Sequence, residues 1–158
     1  MTRHLQRTFA FLFALACLAP IAAQSQTAPT ATTYSQDLLD SLLAPVALYP
    51  DELLAQVLMA STYPLDVVAA TRFVQANRGL KGDALAQAIE GKNWDPSVVS
   101  LTGFPQVLEM MNDKLDWMQQ LGDAFLADEA AVLRTVQGLR AKAQAAGNLK
   151  STEQQKVV

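Results

Sequence analysis

The sequence predicts an all-α fold, a compact bundle of about six to eight short helices, and three observations carry that expectation. Apolar residues recur at spacings of three and four through most of the chain, and no segment alternates convincingly with period two. Four prolines stand at the heads of such apolar runs, in Tyr49-Pro50, Tyr63-Pro64, Asp95-Pro96 and Phe104-Pro105. Proline lacks an N–H and has φ fixed near the helical value, so it fits the first helical position, where that N–H would go unpaired. The residue before it is pushed out of the α region and becomes the last extended residue before the helix. With 158 residues, 51% of them apolar, the chain is long and apolar enough to bury a core as one domain.

The elements follow in order. Residues 1–23 read as a secretory signal peptide: Arg3, His4 and Arg7 precede an apolar run over residues 8–19, then Pro20 and the small residues Ala22 and Ala23. The run is too short to span a bilayer, which takes ~20 apolar residues. Cleavage after Ile21-Ala22-Ala23 is the favoured reading, with Ala23-Gln24-Ser25 as a second option. The alternative takes Ala14-Leu15-Ala16-Cys17 as a lipoprotein signal with Cys17 lipidated. Under simple cleavage the mature protein has no cysteine and so no disulfide or thiol metal site. Residues 24–36 form a small, polar, flexible leader expected to be disordered.

The helical domain spans residues 37–149, with a polar tail at 150–158. Ser35 can cap a first helix to about Leu43, with Leu38, Leu39, Leu42 and Leu43 on one stripe and Pro45 ending it. Residues 42–74 then hold two helix starts fourteen residues apart, and the rest of the domain is expected to organise around them. Glu52 and Asp66 fall in their first turns, where the helix dipole favours negative charge. Leu53, Leu54, Val57, Leu58 and Ser61 keep a helical spacing in the first, and Val67, Ala70 and Val74 in the second, so both stripes face a shared core.

Asn77-Arg78-Gly79 reads as a helix end with Gly79 left-handed, Asp83 as the cap of a short helix closed by Gly91, and Asp95 as the cap of the next. From Pro105, Val107, Met111, Leu115, Met118, Gly122 and Phe125 recur at helical spacing. That supports one long helix or two, with a kink or break expected at Gly122, since glycine costs ~1 kcal/mol against alanine in a helix. Asp128 caps a last helix with Val132, Val136, Leu139 and Ala143 inward, Arg134, Arg140 and Lys142 on its outer face, and Gly147-Asn148 closing it.

These blocks carry a resemblance. Residues 42–51, 54–64, 79–85, 94–98, 104–108, 115–117 and 120–126 resemble the bacterial family called domain of unknown function 3300, over about residue 37 to the end. The resemblance implies an exported, envelope-associated bacterial protein and transfers no catalytic residue. Family members usually continue past the equivalent of residues 151–155 into a Val-, Tyr- and Pro-rich segment and often a Gly- and aromatic-rich tail. This chain stops at Val158, which is expected to make it a short member or a truncated reading frame.

Composition narrows the chemistry. Removing residues 1–23 takes away the only His and the only Cys, which excludes Ser-His-Asp and Cys-His catalysis and most zinc sites. It also removes Arg3 and Arg7, leaving ten Lys/Arg against fifteen Asp/Glu, a formal charge of −5 that argues against nucleic acid. No phosphate loop or dinucleotide fingerprint occurs. Two carboxylates ~5–10 Å apart can hydrolyse a glycosidic bond, and Asp51, Glu52, Asp66, Asp95 and Glu109 are the acids to consider. The plainer reading keeps them in helix first turns or on solvated faces. Asp113, Asp116 and Asp123 fit no calcium loop.

Tyr49, Tyr63, Trp94, Phe104 and Trp117 gather at helix starts and joints and could line a groove for a peptide, glycan or lipid, or else staple helix ends to the core. Met110, Met111 and Met118 read as core filler. The sequence thus assigns no catalytic residue, no metal ligand and no cofactor. It favours an exported structural or interaction module of the envelope, periplasmic or secreted, that meets an envelope protein or glycan and touches membrane only through a lipidated Cys17. The alternatives are a cell-wall hydrolase using two carboxylates and a carrier of a small apolar ligand.

Overall fold

Three of the four prolines occupy the first position of a helix: Pro64 opens α3 (Pro64–Ala76), Pro96 opens α5 (Pro96–Leu101) and Pro105 opens α6 (Pro105–Asp113). The residues before them are non-helical, Tyr63 at φ −121° and Phe104 at φ −125°. Pro50 sits one place earlier than expected, as the N-cap of α2 (Asp51–Ala60) with φ −53° and ψ 148°, so Asp51 and Glu52 together form the acidic first turn.

The other helices are α1 (Gln36–Leu43), α4 (Gly82–Ile89), α7 (Leu115–Ala127) and α8 (Glu129–Ala145). The computed structural model describes residues 34–147, and among them there are eight helices and no strands. The expectations for residues 1–23, for Cys17, for most of the 24–36 leader and for the 150–158 tail fall outside the described residues.

Side-chain caps account for three helix starts. Ser35 accepts from the Leu38 amide, Asp95 from the Ser97 amide at 2.8 Å, and Asp128 from the Ala131 amide at 2.8 Å. Asp83 does not cap α4: Lys81 holds that position without a side-chain bond, and Asp83 lies in the first turn. Gly79 is not left-handed either. The positive-φ glycines among the described residues are Gly82, Gly91 and Gly147, and α3 is closed by Asn77, whose side-chain Nδ2 donates to the Phe73 carbonyl at 2.8 Å.

The core is one apolar cluster in which Leu43, Leu58, Leu101, Leu108, Met111, Met118 and Leu121 are fully buried. Both early helices contribute, α2 through Leu54, Val57 and Leu58 and α3 through Val67 and Ala70. The helix that touches most of the others is α7, which packs on α1, α2, α3, α6 and α8. In contrast, α4 packs only weakly on other helices; Leu85 and Ile89 are buried beneath it, outside the main cluster. Every buried side-chain nitrogen and oxygen among the described residues has a partner.

Gly122 corrects the expected break. The chain turns instead at Lys114 (φ −122°, ψ 54°), which ends α6 and starts α7, while Gly122 lies buried inside α7. Its missing Cβ lets α7 rest on the turn between α2 and α3: a Cβ there would come within 2.8 Å of the Ser61 carbonyl carbon and 3.1 Å of the Thr62 amide nitrogen. Turning at Lys114 lets α6 lie along α3 while α7 crosses to α1 and α8.

Arg140 is the second correction. It was expected on the outer face of α8, but its side chain is only 14% exposed. Nε donates to the Ala47 carbonyl and NH2 to the Tyr49 carbonyl, both at 2.7 Å, while NH1 pairs with Asp51. Planar, with several fixed donors, the guanidinium ties the α1–α2 connection to α8. Lys142 and Arg134 do lie outward.

Lys142 closes the α1–α8 seam with Asp40, which accepts from its Nζ at 2.7 Å and from Gln36 Nε2 at 2.6 Å. The Lys142 hydrogen bond first, then that of Gln36, holds the Asp40 carboxyl below its ordinary value of 3.8. A depressed folded-state value means that the ionised carboxylate favours folding above 3.8 and that this contribution is lost as pH falls through the lowered value. Asp40→Asn should therefore be less stable than wild type at neutral pH, with the gap closing below 3.8. Urea midpoints measured across that range check it, and a gap independent of pH would contradict it.

Candidate interaction surface

The five sequence-predicted aromatics are distributed over separate joints. Tyr49, Trp94 and Trp117 are half-buried and pack on the core, and Trp117 Nε1 donates to the Leu42 carbonyl at 2.8 Å, fastening α7 to the end of α1. Trp94 meets Phe73 edge-on, with ring centroids 5.8 Å apart, and Lys92 lies 4.9 Å from the Phe73 centroid. Tyr63 and Phe104 are exposed at the starts of α3 and α6. None of the five lines the α3–α4–α6 cleft, the α2–α8 cleft or the hollow beside the α2–α3 turn.

The acids are occupied locally. Asp66 and Asp95 are brought together, but Asp66 accepts the Asp95 backbone N–H at 3.0 Å and Asp95 caps α5. Asp51 pairs with Arg140, and Glu109 faces Arg78 at 3.8 Å. Glu52, Asp113, Asp116 and Asp123 are exposed. Among the described residues no three acids, histidines or cysteines are placed to hold a metal ion. Met111 and Met118 are fully buried.

One cleft, of about 540 Å³, lies between α3, α4 and α6, with Val74, Leu80 and Leu85 among its apolar walls and Arg78, Lys81 and Glu109 among its charged ones. A more apolar one, of about 680 Å³, runs between α2 and α8 and is lined by Leu54, Ala55, Leu58, Ala130, Leu133 and Val136. Asp51 at the start of α2 pairs with Arg140 on α8, and Ala55 and Leu58 share the cleft with Ala130 and Leu133.

Thr62 and Pro64 on the α2–α3 turn share a smaller hollow of about 360 Å³ with Asp123 and Leu126 of α7. Leu126 is 71% exposed, and Met59 and Leu133 are each 43% exposed. Met59 lies in the C-terminal half of α2, Leu126 near the end of α7 and Leu133 near the start of α8.

The comparisons with known proteins bear on residues 35–158, which match the family model described as "Protein of unknown function (DUF3300)". The chain belongs to this family. A DUF3300 relative, "Uncharacterized protein YacH" of Escherichia coli (strain K12), is 49% identical over 127 residues, which are 80% of this chain and 21% of the relative. The chain thus spans about a fifth of that relative's length. No solved structure matches.

Sequence reading missed Arg140 and the exposed apolar residues Met59, Leu126 and Leu133. A signal for Arg140 was present, since it stands four residues after Val136 and next to Leu139 on the inward stripe. For Met59, Leu126 and Leu133 the only signal was their place off the stripes that predicted the core.

Proposed function

We propose that this DUF3300 domain is an exported, non-catalytic interaction module of the bacterial envelope, working in the periplasm or outside the cell. The observation that carries the reading is the apolar cleft between α2 and α8, walled by Leu54, Ala55, Leu58, Ala130, Val136 and the exposed Leu133. Contiguous exposed apolar surface rimmed by polar groups is the usual mark of an interaction site. The ties of Asp66, Asp95 and Asp51 to neighbouring groups favour a scaffold role for these acids over cell-wall hydrolysis. Export is supported by the basic-then-apolar composition of residues 1–23.

The test expresses the full chain with its own leader in a Gram-negative host, measures intact mass and fractionation, and photo-crosslinks from position 133 in living cells. Loss of the leader, recovery outside the cytoplasm and a discrete adduct are expected. Retention of the leader in the cytoplasm would overturn export. Cell-wall cleavage by the purified protein that is abolished by Asp66→Asn or Asp95→Asn would overturn the non-catalytic reading.

A further inference from the structure

The α3–α4–α6 cleft takes one wall from the short connection between α3 and α4, where Asn77, Arg78, Leu80 and Lys81 all line it. That connection gives the cleft one apolar and two cationic side chains, and loops held by a rigid scaffold are where binding groups concentrate. Val74 of α3 and the buried Leu85 of α4 add apolar surface. At about 540 Å³ the cleft has the size of a small-molecule site, where apolar walls hold the ligand and a few polar groups orient it.

The charges on the lining do not cancel. Glu109 is the single acid there, against Arg78 and Lys81, so the balance is 2 − 1 = +1. Glu109 faces Arg78 at 3.8 Å and accepts from Gln75 Nε2 at 3.5 Å, both long contacts. Lys81 makes no ion pair among the described residues. The start of α6 adds to the positive side, since Pro105 and Gln106 of its first turn line the cleft. Among the described helices, α6 alone begins with neither a side-chain cap nor an acid in its first turn.

The loosest wall is α4. It packs only weakly on other helices, and left-handed glycines bound it, Gly82 at φ 52° and Gly91 at φ 80°. A ligand resting on Leu85 would supply contacts that α4 otherwise lacks.

From these features together we infer that the cleft binds a small organic monoanion with an apolar body, of the kind a medium-chain carboxylate represents. Arg78 and Lys81 hold the anionic group, and Val74, Leu80 and Leu85 cover the body. The positive balance favours an acid over an amine or alcohol of the same length, and the apolar walls favour a longer chain over a shorter one. No residue lines both this cleft and the α2–α8 cleft, so the site does not depend on the interaction-module reading.

The probes are octanoate, octylammonium, octan-1-ol and butyrate, titrated calorimetrically into the exported full chain at several salt concentrations. Octanoate should bind at least about tenfold more tightly than each of the other three, a ratio worth about 1.4 kcal/mol, and should weaken as salt rises. Lys81→Gln and Arg78→Gln, both at exposed positions, should each reduce octanoate binding at least about fivefold with the circular dichroism melt unchanged. Glu109→Gln should tighten it about two- to fivefold, because the acid that competes for Arg78 is gone. Arg134→Gln, on the α2–α8 cleft, should leave it unchanged and so serves as the control for general attraction to surface cations. Octanoate should also slow amide hydrogen exchange in α4 at least about fivefold while leaving α8 as it was.

Equal binding of octylammonium or octan-1-ol, full binding by the Lys81 and Arg78 variants, weaker binding by Glu109→Gln, or no binding of octanoate would each overturn the site. Slowed exchange outside α4 alone would do the same. The crosslink from position 133 reports on the other cleft, so either reading can fail without the other.

Discussion

Gly122→Ala should destabilise the domain by about 2–4 kcal/mol, although alanine is the better helix former by about 1 kcal/mol. Gly122 lies inside α7, so propensity alone would predict a gain. The loss arises because the added methyl meets the main chain of Ser61 and Thr62, which cannot rotate away as a flexible side chain could. Relief would require α7 to move off the α2–α3 turn, and α7 also packs on α1, α3, α6 and α8. The internal control is Gly138→Ala in α8, where an added Cβ meets nothing within 4 Å. That change should stabilise by about 0.5–1 kcal/mol. Urea unfolding of the two variants should move the midpoint in opposite directions, and a shift in the same direction would refute the close approach at Gly122.

Arg140→Ala should cost a similar amount, about 2–4 kcal/mol, because it strips two main-chain carbonyls of a charged donor. Those carbonyls, of Ala47 and Tyr49, lie in the connection that turns α1 into α2, beside the buried Val46 and Ala47. The ion pair with Asp51 should contribute little, since the Asp51 side chain is 79% exposed and solvent screens it. Asp51→Asn is therefore expected to cost less than about 1 kcal/mol. Arg140→Lys separates charge from geometry: an ammonium keeps the charge, but it is a single compact donor centre in place of a planar fork. It should recover less than half of the loss. If Asp51→Asn proved as damaging as Arg140→Ala, the ion pair and not the carbonyl clasp would be the main bond.

The sequence showed where helices begin because the causes are local. A proline with its non-helical predecessor, or Ser35, Asp95 or Asp128 bonding an amide two or three residues on, acts within one turn of chain. Most of the core was legible for a related reason: Leu54, Val57, Leu58, Val67, Ala70, Val132 and Val136 keep a helical period, and all are buried. Helix ends were harder. Gly79 carries the usual closing residue, yet α3 is closed by the Asn77 side chain reaching the Phe73 carbonyl, a competing local bond that composition does not rank.

The candidate surface was much less legible. The aromatic signal led to five joints, of which Tyr49, Trp94 and Trp117 are used in packing, whereas the exposed Met59, Leu126 and Leu133 belong to no motif. Whether Leu126 or Leu133 is covered depends on which helix lies across it, and nothing within a few residues of either decides that.

Local chemistry in the chain was sufficient to set its helical class, most helix starts and the inward stripes, because each depends on neighbours within about one turn. The break at Lys114, the close seat of Gly122 on Ser61 and the inward course of Arg140 to a carbonyl 93 residues away were decided only by the tertiary structure. These are contacts between segments far apart in sequence, and they form only once the helices have packed.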